Sequence, residues 1–225
     1  MENAQFITER QGAGISTNKV LRNTYLLLSM TLLFSAAMAG VAMAIEAPYM
    51  GWLPLIFAFA LLFAISKMKN SAWGILLVFA FTGILGFSLG PIVNAYMQTA
   101  GGTTTVVTAL SLTGVIFLSL SGYTLVSQKD FSYMDGFLMT GLCVIIGAIV
   151  LSWVGGMFGF HISGLQLAIS SAIVMLMSGL ILYDTSKIIH GGETNYIMAT
   201  VGLYLNIYNL FVSLLHLVGF FGGDD

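Results

Sequence analysis

Seven apolar runs, each close to the thickness of a bilayer when helical, follow one another along the chain with short polar breaks between them. A helix rises 1.5 Å per residue, so about 20 apolar residues cross the hydrocarbon. The runs lie at roughly 22–45, 51–66, 72–93, 104–127, 133–154, 163–186 and 197–221. In lipid a backbone must satisfy its own hydrogen bonds, and single runs of this length do so as helices. Composition leaves no soluble alternative. Hydrophobic residues make up 58% of 225 and charged residues 7%, where a soluble domain is about a quarter charged. The mean hydropathy is +0.96. The expected fold is therefore all-α: a polytopic membrane protein of seven transmembrane helices, the second of them short.

The breaks have physical causes. Glu46 and Pro48 follow the first run, and Lys67 and Lys69 follow the second. Pro91, a Gly pair and a threonine run follow the third, and Lys129, Asp130 and Asp135 follow the fourth. The break after the fifth, "GGMFGFHISG", is rich in glycine. In "KIIHGGETN", Gly191 and Gly192 end one helix and Thr194 or Asn195 can start the next.

Seven spans place every basic residue on one side. Arg10, Lys19 and Arg22 precede the first span, and Lys67, Lys69, Lys129 and Lys187 fall in alternate loops. The opposite side holds Glu46, His161, Asp224 and Asp225. By the positive-inside rule the N-terminus is expected in the cytoplasm and the C-terminus outside. One span more or fewer would scatter the basic residues. A polar leader of over twenty residues before a full-length first run argues against a cleaved signal peptide. Residues 1–18, polar and containing Gly12 and Gly14, are expected to form a flexible cytoplasmic tail, and residues 19–225 the membrane domain. A net charge of −2 with no basic block excludes a nucleic-acid partner. The single cysteine, Cys143, lies inside an apolar run and is expected to be buried and inert.

Polar residues within spans point to helix contacts or to function. Gly83, Gly86 and Gly90 in the third span mark a flank where another backbone can come close. On the seventh, Gly202, Asn206, Asn209, Ser213 and His216 recur every three or four residues, forming one helical face. Two readings stand: interhelical hydrogen bonds that fix packing, or the wall of a hydrated cavity. Tyr204 and Tyr208 flank this face. Asp184 ends the sixth span, and antiparallel neighbours joined by a short loop would set it and Asn206 roughly 8 to 15 Å from the same surface, within reach of each other. A buried carboxylate needs a donor. Asn206 and Asn209 are available, and Lys67, Lys69 or Lys187 could latch onto it.

Catalytic chemistries fit poorly. An intramembrane aspartyl protease needs a second carboxylate on the adjacent helix, and the seventh span has none. "FHISGL" lacks the glycine turn expected before a serine nucleophile. His161, His190 and His216 lie at different depths or on different sides, which does not suit a zinc site. The expectation is a protein that is not an enzyme and carries no cofactor.

Three stretches carry a resemblance: "STNKVLRNTYLLLSMTLLFSA" at 16–36, "FAFTGILGFSLGPIVNAY" at 79–96, and "HGGETNYIMATVGLYLNIYNLFVSLLHLVGF" at 190–220. They resemble the Bax inhibitor motif family of seven-span membrane proteins, in its bacterial YccA-like branch, over nearly the whole chain. The resemblance implies six helices around a central seventh, in a bacterial inner membrane. It also implies two functions. YccA-like members associate with FtsH, a membrane-anchored ATP-dependent protease, and restrain it. Residues of the tail, Met1, Glu2, Asn3, Ala4 and Gln5, would then be the segment the protease engages. Other members act as pH-sensitive calcium leaks, in which aspartates on the sixth and seventh spans share a proton. Asp184 matches the first by position, and Asn206 stands at the second. Two close carboxylates titrate as a coupled pair; Asp184 with Asn206 does not. Asn206 still offers a carbonyl to a cation, so Asp184 is at most a weak calcium site.

Overall fold

A computed structural model describes the backbone of residues 2–158 and 164–222, and within those ranges the side chains from Thr17 onward. Seven α-helices account for nearly all of it: α1 Glu2–Ala44, α2 Leu53–Met68, α3 Ala72–Met97, α4 Gly102–Ser127, α5 Asp135–Met157, α6 Leu165–Ile189 and α7 Tyr196–Phe221. Only one further helical turn, Ser132–Met134, lies among the described residues. Six helices are long and apolar enough to cross a membrane, counting α1 from Thr17. Helix α2, with 16 residues, spans about 24 Å and falls short of the full hydrocarbon thickness.

Two boundaries differ from expectation. The backbone of residues 2–18 is helical and continuous with the first span, so the helix begins well before the apolar run. Met1 and the side chains of Glu2, Asn3, Ala4 and Gln5 lie outside the described residues, as do His161, Asp224 and Asp225. Helix α3 continues past Pro91 to Met97, although the proline and the Gly pair suggested an earlier end. Proline removes one ladder bond, but ending the helix inside lipid would strand several backbone groups.

The chain forms two compact units, Met1–Ala95 with Lys187–Tyr204, and Tyr96–Ser186 with Leu205–Asp225. In the first unit the glycines of α3 meet α1. A Cβ on Gly83 would lie 2.8 Å from Cε1 of Phe34, one on Gly86 would collide with the backbone of Ser35, and one on Gly90 with Ala42. An apolar hollow of about 580 Å³, walled by Phe34, Met38, Phe57, Phe79 and Phe87, opens among α1, α2 and α3. In the second unit Gly179 of α6 admits the side chain of Leu138 on α5.

Burial ranks the helices. In α5 only 11% of the span is covered, against 56% in α7. Cys143 follows from this: it lies on α5 and is exposed, correcting the expectation of a buried thiol, because most of α5 turns its apolar side chains to the surroundings. Helix α7 is apolar and covered on several sides, through Val201, Leu203, Tyr204, Ile207, Leu210, Phe211, Leu214 and Leu215. Exposed Trp52, Trp73 and Tyr133 sit at or beside helix ends, and Tyr49 in the loop between α1 and α2, where aromatic rings belong in a membrane interface.

Candidate functional site

The loop between α6 and α7 sets the geometry of both helices. Gly191 takes a left-handed conformation, φ +76°, and the amide of Gly192 bonds back to the carbonyl of Lys187 at 2.8 Å, which closes α6 with a glycine stop. Asn195 then caps α7: its Oδ1 accepts from the amides of Ile197 at 3.0 Å and Met198 at 3.1 Å. The amide end of Asn195 donates to the carbonyl of Lys69 at 3.1 Å and to Oδ1 of Asn70 at 2.9 Å. One cap therefore also holds the α2–α3 loop.

This tight reversal brings Asp184 and Asn206 together. Nδ2 of Asn206 donates to Oδ2 of Asp184 at 2.7 Å, and Asn206 is buried. The pair sits one turn from the end of α6 and nearly three turns into α7. A charge-assisted bond of this length offsets part of the cost of a carboxylate inside a span. Other residues on the polar face behave differently. Asn209 donates to the carbonyl of Leu205 in its own helix at 2.9 Å, so it does not bridge through that bond. Ser213 is buried. His216 lies beside Tyr96, ring centroids 6.1 Å apart, on a separate cavity of about 420 Å³.

The three candidate latch lysines are exposed. Lys67 lies over the ring of Phe63, 5.4 Å from its centroid. Lys129, also exposed, rests 5.6 Å from the ring centroid of Tyr123. A hydrogen bond with Tyr123 raises its pKa from the ordinary lysine value, so Lys129 keeps its charge. Ser186, buried on the last turns of α6, accepts from the amide of Phe131 at 2.9 Å and donates to the carbonyl of Lys129 at 3.3 Å.

Sequence reasoning placed Tyr204 beside the polar face but did not find its partners. Tyr204, 1% exposed, donates to the carbonyl of Thr82 at 3.2 Å. Its one proton thus used, it accepts from Ser35 Oγ at 2.7 Å. The signal was present, since Tyr204 flanks the polar face and Ser35 and Thr82 are hydroxyl residues within spans, but their partners needed three dimensions. Ser121 and Thr185 similarly approach at 3.4 Å in the second unit. Among the described residues no three His, Cys, Asp or Glu cluster as metal ligands.

Known proteins share this sequence over nearly its whole length. The family described as Inhibitor of apoptosis-promoting Bax1 matches residues 17–223. An uncharacterized protein of Pseudomonas aeruginosa is 48% identical over 207 residues, covering 92% of this chain and 91% of its own. The Modulator of FtsH protease YccA of Escherichia coli K12 is 46% identical over 211 residues, covering 93% of this chain and 94% of its own. An uncharacterized membrane protein of Vibrio cholerae is 46% identical over 213 residues, covering 94% of this chain and 93% of its own. With the match running from the start of the first span to the end of the last, this chain belongs to the Bax inhibitor family, in its YccA-like branch.

Proposed function

We propose that this chain is an inner-membrane protein that binds and restrains an FtsH-type ATP-dependent protease and has no catalysis of its own. The observation that carries the reading is the 46% identity, over 93% of the chain, to a protein named Modulator of FtsH protease; a second relative of the same identity is named Inner membrane protein YccA. In this reading α2 also crosses the bilayer, α7 is enclosed by the other spans, the N-terminus is cytoplasmic and the C-terminus periplasmic. The bonds between helices support a bundle that resists extraction. Tyr204 ties α7 to both α1 and α3, and Asn206 ties it to α6.

A machine that pulls needs a segment it can grip. Residues 1–18 are polar and carry Gly12 and Gly14, each costing a helix about 1 kcal/mol relative to alanine. Met1–Gln5 would enter the protease first, and the membrane domain would then stall it. Deleting residues 2–15 should lengthen the protein's lifetime several-fold in cells that contain the protease, measured by pulse–chase. An unchanged lifetime, with the protease active on another substrate, would overturn the handle. Failure of the intact chain to co-purify with the protease would overturn the partner.

A cation leak is the second reading. The observation that favours it is the carboxylate of Asp184 held against α7 within the spans. Calcium would be cargo there.

A further inference from the structure

At the end of the second unit where α6 begins and α7 ends, four polar side chains converge on a cavity of about 420 Å³: Tyr96, Gln166, Ser170 and His216. Ser170 is only 3% exposed, yet among the described residues its hydroxyl has no hydrogen-bond partner. The same holds for the Tyr96 hydroxyl, the Gln166 amide and the His216 imidazole. Buried polar groups are nearly always paired, by protein, water or ligand. Ser170 is the buried member of the set; Tyr96 and His216 are half-buried and Gln166 is exposed, and all four line one cavity.

The cavity floor adds more donors. Gly164, in a left-handed conformation with φ +82°, leads into the first turn of α6. The amide of Ala168 is bonded to the Gly164 carbonyl at 3.0 Å, while those of Leu165, Gln166 and Leu167 have no partner within the helix. Helix α6 has 25 residues, so its N-terminus carries a substantial positive end of the helix dipole. Tyrosine and serine hydroxyls, a carboxamide and an imidazole can each present a hydrogen. None of the residues lining the cavity is acidic. Gly219 keeps the space open, because a Cβ there would collide with the Tyr96 ring.

We propose that this cavity is a binding site for a phosphate-type oxyanion, seated on the α6 N-terminus and bonded by Ser170, Tyr96, Gln166 and His216. The same chemistry is offered by inorganic phosphate and by the headgroup of an anionic phospholipid. Tyr96, Gly219 and Phe220 lie within two residues of the ends of α3 and α7, and Ser170 and His216 within five residues of a helix end, so the cavity opens near the depth at which headgroups lie.

The intact protein in uncharged maltoside micelles is titrated by calorimetry in three arms: inorganic phosphate, short-chain phosphatidylglycerol, and short-chain diacylglycerol, which lacks the phosphate. Saturable binding is expected in at least one phosphate-bearing arm and not with diacylglycerol. Saturation by inorganic phosphate identifies a site for the free ion; saturation by phosphatidylglycerol alone identifies a headgroup site. Ser170→Ala should weaken that binding about tenfold, the effect of losing one hydrogen bond to a charged group. Gln166→Glu, at an exposed position that cannot affect folding through the core, should weaken it at least as much by repulsion. No saturable binding, equal binding of diacylglycerol, or affinity unchanged in both variants would each overturn the proposal.

Discussion

Asp184 shows how one contact decides what a charged residue in a span can do. Its carboxylate accepts from Asn206 at 2.7 Å, so a change at either residue acts on the other. Asp184→Asn should preserve the fold, because the side chain keeps its shape and an amide oxygen can still accept from Asn206. Asp184→Arg should lower the melting temperature sharply, since a larger cation replaces the acceptor in the same space. Asn206→Asp is more diagnostic. At pH 8 two carboxylates would face each other in place of a hydrogen bond, at a cost of about 2 kcal/mol. At pH 5 a shared proton restores a bond between them, and the loss should be smaller. Thermal unfolding of the purified protein at both pH values measures this, and an equal loss at each would show that the two side chains are not in contact. In vesicles, any calcium flux should gain pH dependence between about pH 6 and 8 in this variant. Flat profiles for both wild type and variant would count against the leak.

Among the helices, the contact of α1 with α3 depends most on the absence of side chains. Gly86 faces the backbone of Ser35 as well as its Oγ, and because backbone atoms cannot swing aside, a methyl group there can be accommodated only by moving the two helices apart. Gly86→Ala should therefore cost about 1–3 kcal/mol, the range for overpacking. It should also stretch the Ser35–Tyr204 bond that crosses the same region of the first unit. Gly147, on α5, has nothing within 4 Å of an added Cβ, and Gly147→Ala should be neutral or slightly stabilising. Unfolding both variants in mixed micelles of rising dodecyl sulfate content would compare them directly; equal stabilities would refute the close approach. The loops behave as elements of the same kind. Asn195 caps α7 and holds the α2–α3 loop, and Ser186 holds the α4–α5 loop, so each loop is fixed by a polar residue at or beside the α6–α7 turn.

For the whole molecule, the testable property is its orientation in the bilayer. All the basic residues with described side chains are exposed; Lys67, Lys69, Lys129 and Lys187 lie in loops or in the last turn of a helix, and Lys19 and Arg22 lie in α1 near the start of its apolar span, all on the side assigned to the cytoplasm. Single cysteines at positions 69, 129 and 187 should label from the cytoplasmic side, and cysteines at 46 and 100 from the periplasmic side. These substitutions require a background lacking Cys143, which is exposed on α5 and would otherwise be a site of its own. Labelling of 46 and 69 from the same side would show that α2, with its 16 residues, does not cross.

The number, order and approximate limits of the helices were legible in the sequence because lipid is a demanding solvent. It requires continuous apolar length and internal backbone bonding, and both can be read from the chain one residue at a time. The cap at Asn195 was legible for a similar reason, since capping is local, and the meeting of Asp184 with Asn206 followed from a short loop and counted turns. What the sequence could not supply was the rotation of each helix about its axis. Cys143 and the residues around it are as apolar as those of α7, and hydropathy does not distinguish a side chain facing lipid from one facing protein. Only the packed structure turned α5 outward, covered α7, and joined Ser35, Thr82 and Tyr204 across well over a hundred residues of chain. The polar face of α7 also reads as one continuous stripe, yet the structure divides it. Asn206 bonds α6, Asn209 bonds its own backbone, and His216 opens on a cavity, because each meets whatever the neighbouring helix presents at its own depth.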